Sequence, residues 1–399
     1  MYQPKIETLD KYADVLINFA LNNGRGVKKG EVVFLQVPES AKPLLLSLQK
    51  SVLKAGAHYI TQYIPTDMSR HFFELANQDQ LNFFPAALLK GRVRQANHFL
   101  SILAETNYHE FEGIDPKKIM DRNVIFKPYK DWRDKKEDQG KLTWTIALYP
   151  TLAMAKEAKL TLYQAWQQVT KACYLNYQDP VKKWQRIQKK SDQIRGKLNK
   201  LEIVKVNIKS KETDLDITIG QDRQWLGGSG NNIPSFEIFT SPDWRGTNGY
   251  IYCNQPLYRH GNIIKDIRLT FKDGKVVKAT ASQGQKILRE LIKVKNSDKI
   301  GEFSLTDKRF SKIDKFMAET LYDENFGGKY GNTHIALGSA YKNTYSKDLK
   351  LLTDKKTEKL AFNDSAVHTD IISTHNRIIT ANLKNGQEII LYKDGQFQI

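Results

Sequence analysis

The chain has 399 residues, 40% of them hydrophobic, enough to bury a large core and to divide into two domains. Its 62 basic and 44 acidic residues leave a net charge of +18, which raises nucleic acid as a partner. No apolar run approaches the roughly 18 residues of a membrane-spanning helix, and two cysteines, Cys173 and Cys253, make neither a disulfide framework nor a thiolate metal cluster.

The first ten residues lack the basic-then-apolar order of a secretory signal, so a reducing cytoplasm is the expected location. Leu9, Tyr12, Ala13, Leu16, Phe19 and Ala20 share a face and predict an amphipathic helix over residues 8–22. The apolar run 32–37 predicts a buried strand, 43–55 a helix, and Gly56-Ala57 leads into a second strand near 58–63. Strand, helix, strand at this spacing is a βαβ unit and predicts a parallel sheet. A further strand at 144–149 ends at Pro150, with helices at about 152–158 and 161–174.

Asp179-Pro180 breaks the chain before its densest basic stretch, 182–200. There Val181, Trp184, Ile187, Ile194, Leu198 and Leu201 recur at helical spacing, which puts the lysines and arginines on a wet face. No nucleic-acid motif accompanies them, so the charge reads as dispersed surface lysine. After Glu202 the pattern changes to short alternating runs at 204–208, 215–219, 267–271 and 276–279. Asp273-Gly274 and Asn385-Gly386 supply tight-turn signals for two hairpins. The expected class is therefore α/β (α+β). Residues 1–190 form an N-terminal α/β domain with a parallel sheet, and 191–399 form a strand-rich C-terminal α+β domain.

The C-terminal half carries ligand-type residues in unusual phrases. Glu237 lies in Pro-Ser-Phe-Glu-Ile-Phe-Thr-Ser-Pro-Asp-Trp-Arg-Gly at 234–246, Glu302 in Gly-Glu-Phe-Ser-Leu, and Glu324 in Leu-Tyr-Asp-Glu-Asn. His334 opens His-Ile-Ala-Leu-Gly-Ser-Ala-Tyr, which ends at Tyr341, and His368 pairs with Asp370 in Ala-Val-His-Thr-Asp-Ile. Each alone is ordinary. Glu237 on an edge strand could point at water, and His334 and Tyr341 could line one side of a helix, two turns apart. His368 and Asp370 would project from one face of a strand. Together they form a mixed carboxylate and imidazole set, which suits Zn²⁺, Mn²⁺ or Co²⁺ and can hold two ions on one water, a hydrolase arrangement. Gly227-Gly228-Ser229-Gly230 and Gly327-Gly328-Lys329 lack the rest of a phosphate loop and read as active-site loops needing close backbone approach. His260 and His375 read as accessory histidines, and Cys253 as an apolar filler.

These phrases, with Trp-Thr-Ile-Ala-Leu-Tyr-Pro-Thr at 144–151 and Asp-Pro-Val-Lys-Lys-Trp at 179–184, resemble the thermophilic-type metallo-aminopeptidases, the family of aminopeptidase T, AmpS and PepS. The resemblance covers nearly the whole chain, although the stretch 325–333 is longer than in the aminopeptidase T form. It implies a peptidase removing N-terminal residues from peptides, with two divalent ions (Zn, Co, Mn or Mg) held by Glu237, Glu302, Glu324, His334, His368 and Asp370. It also implies a homodimer, with no membrane and no specific nucleic acid as partner. Glu302 is the first choice for bridging ligand or general base, Glu237 the alternative base, and Tyr341 a donor to the oxyanion. Two other readings stay open: a metal-dependent amidase or esterase, and a basic nucleic-acid-binding protein on a degenerate enzyme fold.

Overall fold

The computed structural model describes residues 2–228, 230–259 and 262–399; His260 and Ser229 lie outside the described residues. The chain folds as two compact units, one of residues 1–185 with 229–234 and the other of 186–228 with 235–399.

The first unit is built on a parallel sheet of five strands in the order His58–Ile64, Val32–Pro38, His98–Leu103, Thr143–Leu148, Asn232–Ile233. Val33, Phe34, Leu35 and Val37 are buried, as the apolar run, interrupted only by Gln36, predicts for a strand covered on both faces. The helix Lys42–Lys54 starts with Pro43 in its first turn, where the missing N–H costs nothing. Thr161 and Gln164 form a capping box that opens the helix Leu162–Ala172. Residues 8–22 do not stay α-helical throughout. The α-helix Ile6–Val15 passes into a π-helical turn, Leu16–Ala20, and then into residues Asn22 and Asn23 at positive φ. Tyr12 anchors this segment, donating from its hydroxyl to the Leu148 carbonyl at 3.0 Å.

The basic stretch forms the helix Pro180–Lys200. Trp184, Ile187, Ile194 and Leu198 are buried, whereas Lys182, Lys189, Lys190, Lys197 and Lys200 are exposed. The basic residues thus line its solvated side. Duplex DNA is accordingly expected to bind weakly, with affinity collapsing between about 50 and 200 mM salt in a gel-shift titration. Tight binding that survives the higher salt would contradict this reading of the charge.

The second unit contains an eight-stranded antiparallel sheet, from Lys275–Thr280 at one edge to Gln396–Phe397 at the other. Its Ile267–Lys272/Lys275–Thr280 hairpin turns at Asp273 and Gly274, whose φ values of 49° and 80° explain the Asp-Gly signal. A second, four-stranded antiparallel sheet runs in the order His368–Ser373, Asn332–Gly338, Ile300–Thr306, Glu237–Thr240. Every residue of its two central strands is buried. Among the described residues no helix is long and apolar enough to cross a membrane.

Candidate metal centre

The register of the four-stranded sheet gathers the ligand-type residues. Residues opposite one another across an antiparallel pair share a face, as do residues two apart along a strand. Glu302 pairs with Ala336 and Ala336 with Asp370; Ser304 pairs with His334 and His334 with Ile372; Thr306 pairs with Glu237. His368 lies two residues before Asp370. Glu237, Glu302, His334, His368 and Asp370 therefore project from one face, although they come from four separate segments.

His334 Nε2 lies 3.4 Å from Glu237 Oε2 and 3.4 Å from Glu302 Oε1. His368 Nε2 lies 3.2 Å from Glu302 Oε2 and 3.3 Å from Asp370 Oδ1. Two triads result, Glu237/Glu302/His334 and Glu302/His368/Asp370, with ligand atoms within 4.8 Å of one another in each. Glu302 belongs to both. It is also almost fully buried, at 3% exposure.

Glu324 comes from outside the sheet. It ends the one-turn helix Thr320–Asp323, is buried, and belongs to neither triad. Its carboxyl is nevertheless electrostatically joined to them: burial, and then the negative charge of Glu237 and Asp370, push its pKa well above the ordinary value. Asn325 braces this corner, its side-chain carbonyl accepting from Phe236 N–H at 2.6 Å while its amide donates to Leu321 O and to Glu324 Oε1.

Tyr341 corrects one expectation. His334 sits in the strand Asn332–Gly338, so the two are not two helical turns apart on one face. The chain instead leaves that strand and places Tyr341 at the start of the short turn Lys342–Thr344. Its ring still reaches the cluster, 4.8 Å from the His368 ring and 5.6 Å from that of Phe239, centre to centre. Tyr341 is 41% exposed as a residue, but loss of water around its phenol end and the charges of Glu302, Asp370, Glu237 and Glu324 raise its pKa above that of an ordinary tyrosine, so it stays a hydrogen-bond donor at neutral pH.

The same crowding acts on the other groups. Burial opposes protonation of His334 and His368, but neighbouring carboxylates overcome it and raise both well above an ordinary histidine. Glu237 is raised by burial and by Glu302 and Asp370. Glu302 goes the other way, because hydrogen bonds from both imidazoles outweigh its burial and hold it below the usual range. Buried carboxylates this close repel one another, and a divalent cation among them relieves both the repulsion and the desolvation. The donor set of carboxylates and imidazoles without thiolate fits such an ion.

Polar neighbours orient the ligands. His368 Nδ1 lies 2.7 Å from the Ser339 carbonyl, which can only accept, so Nδ1 carries a proton and Nε2 is turned toward the carboxylates of Glu302 and Asp370. Ser304 and Ser235 hydroxyls donate to Glu237 at 3.3 and 3.4 Å. Gly227 lets the backbone approach closely, as expected of its cluster: a Cβ there would fall 2.0 Å from the Glu237 carbonyl oxygen. Gly327 does the same against Ser311. His375 packs its ring against Tyr252 and belongs to neither triad. Cys253 is wholly buried, and burial pushes its thiol up, which suits a filler.

Residues 5–397 match the family described as thermophilic metalloprotease (M29). The chain belongs to that family. As an M29 protein it is a metal-dependent peptidase, an enzyme of the hydrolase class. It is 26% identical to aminopeptidase PepS of Streptococcus thermophilus and 26% identical to aminopeptidase AmpS of Bacillus subtilis, with 98% of each chain aligned in both cases. It is 25% identical to aminopeptidase T of Thermus thermophilus, again over 98% of both chains. The fold of this M29 chain is similar to that of wild-type AmpT from Thermus thermophilus, with a TM-score of 0.85 at 22% identity, covering 98% and 99% of the two chains.

Ser235, Ser304 and Asn325 were not singled out by sequence, yet each touches a ligand residue or braces one. The signal for Ser304 was available, since it lies two residues after Glu302 in a strand and so shares its face. Ser235 and Asn325 sit inside the quoted phrases, but only the fold brings Asn325 to Phe236.

Proposed function

We propose that this M29 metallopeptidase is an aminopeptidase whose site holds two divalent cations through Glu237, Glu302, Glu324, His334, His368 and Asp370. The observation that carries the reading is the membership of Glu302 in both triads, which suits a carboxylate shared between two ions. The aminopeptidase assignment rests on the relatives, each of which is named as one. Bound Zn²⁺, Co²⁺ or Mn²⁺ would supply Lewis acidity, lowering the pKa of a water and polarising the scissile carbonyl.

The chain's own groups then divide the remaining work. Glu302, shared by both triads, suits holding rather than proton transfer. Glu237, which belongs to one triad only, is left to accept a proton from the attacking water on a carboxylate oxygen and return it to the leaving amine nitrogen. Tyr341 keeps its phenolic proton and donates it as a hydrogen bond to the oxygen on which negative charge develops.

Tyr341→Phe deletes only that hydroxyl. It is expected to lower kcat by about 10²–10³-fold with KM and metal content little changed, since the interaction exists only in the transition state. Steady-state kinetics of the Phe variant at wild-type kcat would return Tyr341 to a packing role. The substrate reading is tested with leucine and arginine p-nitroanilides and their Nα-acetylated forms. Free amines are expected to be hydrolysed and acetylated ones spared; equal rates on both would favour an amidase that ignores the amino terminus.

A further inference from the structure

The phrase Thr-Ser-Pro-Asp-Trp-Arg-Gly contributes no ligand, yet its second residue contacts the backbone of Tyr341. Ser241, directly after the strand Glu237–Thr240, is wholly buried, and its hydroxyl accepts from the Tyr341 backbone N–H at 2.8 Å. Its carbonyl is held in turn by Arg223, whose Nε donates to it at 2.6 Å. The same guanidinium donates to the carbonyls of Leu360 at 2.7 Å and Gln221 at 2.9 Å and lies 3.4 Å above the Phe362 ring. Three carbonyls and an aromatic face thus occupy an arginine that acts as a backbone staple rather than an ion-pair partner.

The neighbouring chain tightens the arrangement. Gln224 N–H donates to Thr344 O at 2.8 Å, its side-chain amide donates to Asn343 O and Tyr345 O, and Thr240 Oγ1 donates to Gln224 O. The segment around Arg223 therefore laces the strand bearing Glu237 to the turn bearing Tyr341. With the ring flanked by Phe239 and His368, Ser241 fixes the backbone end of the tyrosine and these two rings fix its side. A phenol must be placed to a fraction of an ångström to act on developing charge, and about 1 Å of misplacement can cost on the order of 10²-fold in rate.

We propose that Ser241, pinned by Arg223, is a positioning residue that sets the Tyr341 hydroxyl over the carboxylate cluster. This rests on the role given to Tyr341 above. The test is a double-mutant cycle in the metal-loaded full chain, measuring kcat and KM on leucine p-nitroanilide together with metal content. Ser241→Ala is expected to lower kcat about tenfold or more with KM and metal content unchanged. In the Tyr341→Phe background the same change is expected to have no further effect. Arg223→Lys, which keeps the charge but loses the fork, is read in the same cycle and replaces Ser241→Ala if that variant does not fold. Equal losses in both backgrounds, or no loss in either, overturn the proposal while leaving Tyr341 its role. Wild-type kcat in Tyr341→Phe removes the role of Tyr341 first, and the proposal falls with it.

Discussion

Replacing Glu302 by Gln is expected to lower kcat/KM by about a thousandfold or more while the fold survives. The carboxylate lies within 3.4 Å of both imidazole nitrogens and belongs to both triads, so a neutral amide there weakens both at once. Glutamine keeps the volume, and the strand Ile300–Thr306 stays buried at every position, so circular dichroism and thermal unfolding should change little. Each triad is left with a single carboxylate, and a neutral amide oxygen holds a divalent cation far less well than an ionised one. Metal content should therefore fall with activity. A Gln variant with near-wild-type kcat/KM and undiminished metal would remove Glu302 from the centre of the site.

Chelation is expected to have an equally large effect. With six oxygen and nitrogen donors and no thiolate in the set, EDTA should reduce peptidase activity to background, and Co²⁺, Zn²⁺ or Mn²⁺ should restore it after the chelator is removed. Mg²⁺ should restore less, because imidazole is a poor ligand for it. Activity measured on leucine p-nitroanilide after exhaustive dialysis against EDTA checks this. Undiminished turnover would contradict the assignment of the triads as metal ligands.

Much of the fold is legible in the sequence, and the legible parts share a cause. The strand Val32–Pro38 opens with four apolar residues in a row, Thr143–Leu148 ends with three, and the helix Pro180–Lys200 keeps its apolar residues on one side. The region between residues 64 and 143 does not read this way. Its longest helix, Pro116–Asp138, carries Pro128 within it and buries none of its described residues, so no stripe of periodic apolar residues announces it. The strand His98–Leu103 is short and lies at the centre of the parallel sheet, where the pairing partners supply the order.

The site divides in the same way. His368 and Asp370 are two apart in a strand, and that spacing alone puts them on one face. The 64 residues between Glu237 and Glu302 carry no such rule; cross-strand register joins them, with Thr306 opposite Glu237. The spacing of His334 and Tyr341 misleads because seven residues fit two helical turns as well as they fit a strand followed by a turn. The single isoleucine does not decide the matter in His-Ile-Ala-Leu-Gly, where alanine and leucine lean toward helix. The pairing of that segment with two buried neighbours decides for the strand.

The most direct measurement on the central claim is a Co²⁺ titration of EDTA-treated protein, following bound metal by calorimetry and hydrolysis of leucine p-nitroanilide in the same samples. Two ions per chain are expected, with activity absent in the stripped protein and rising to its full value as both sites fill. Saturation at one ion with full activity, or full activity before any metal is added, would contradict a two-metal centre built around Glu302.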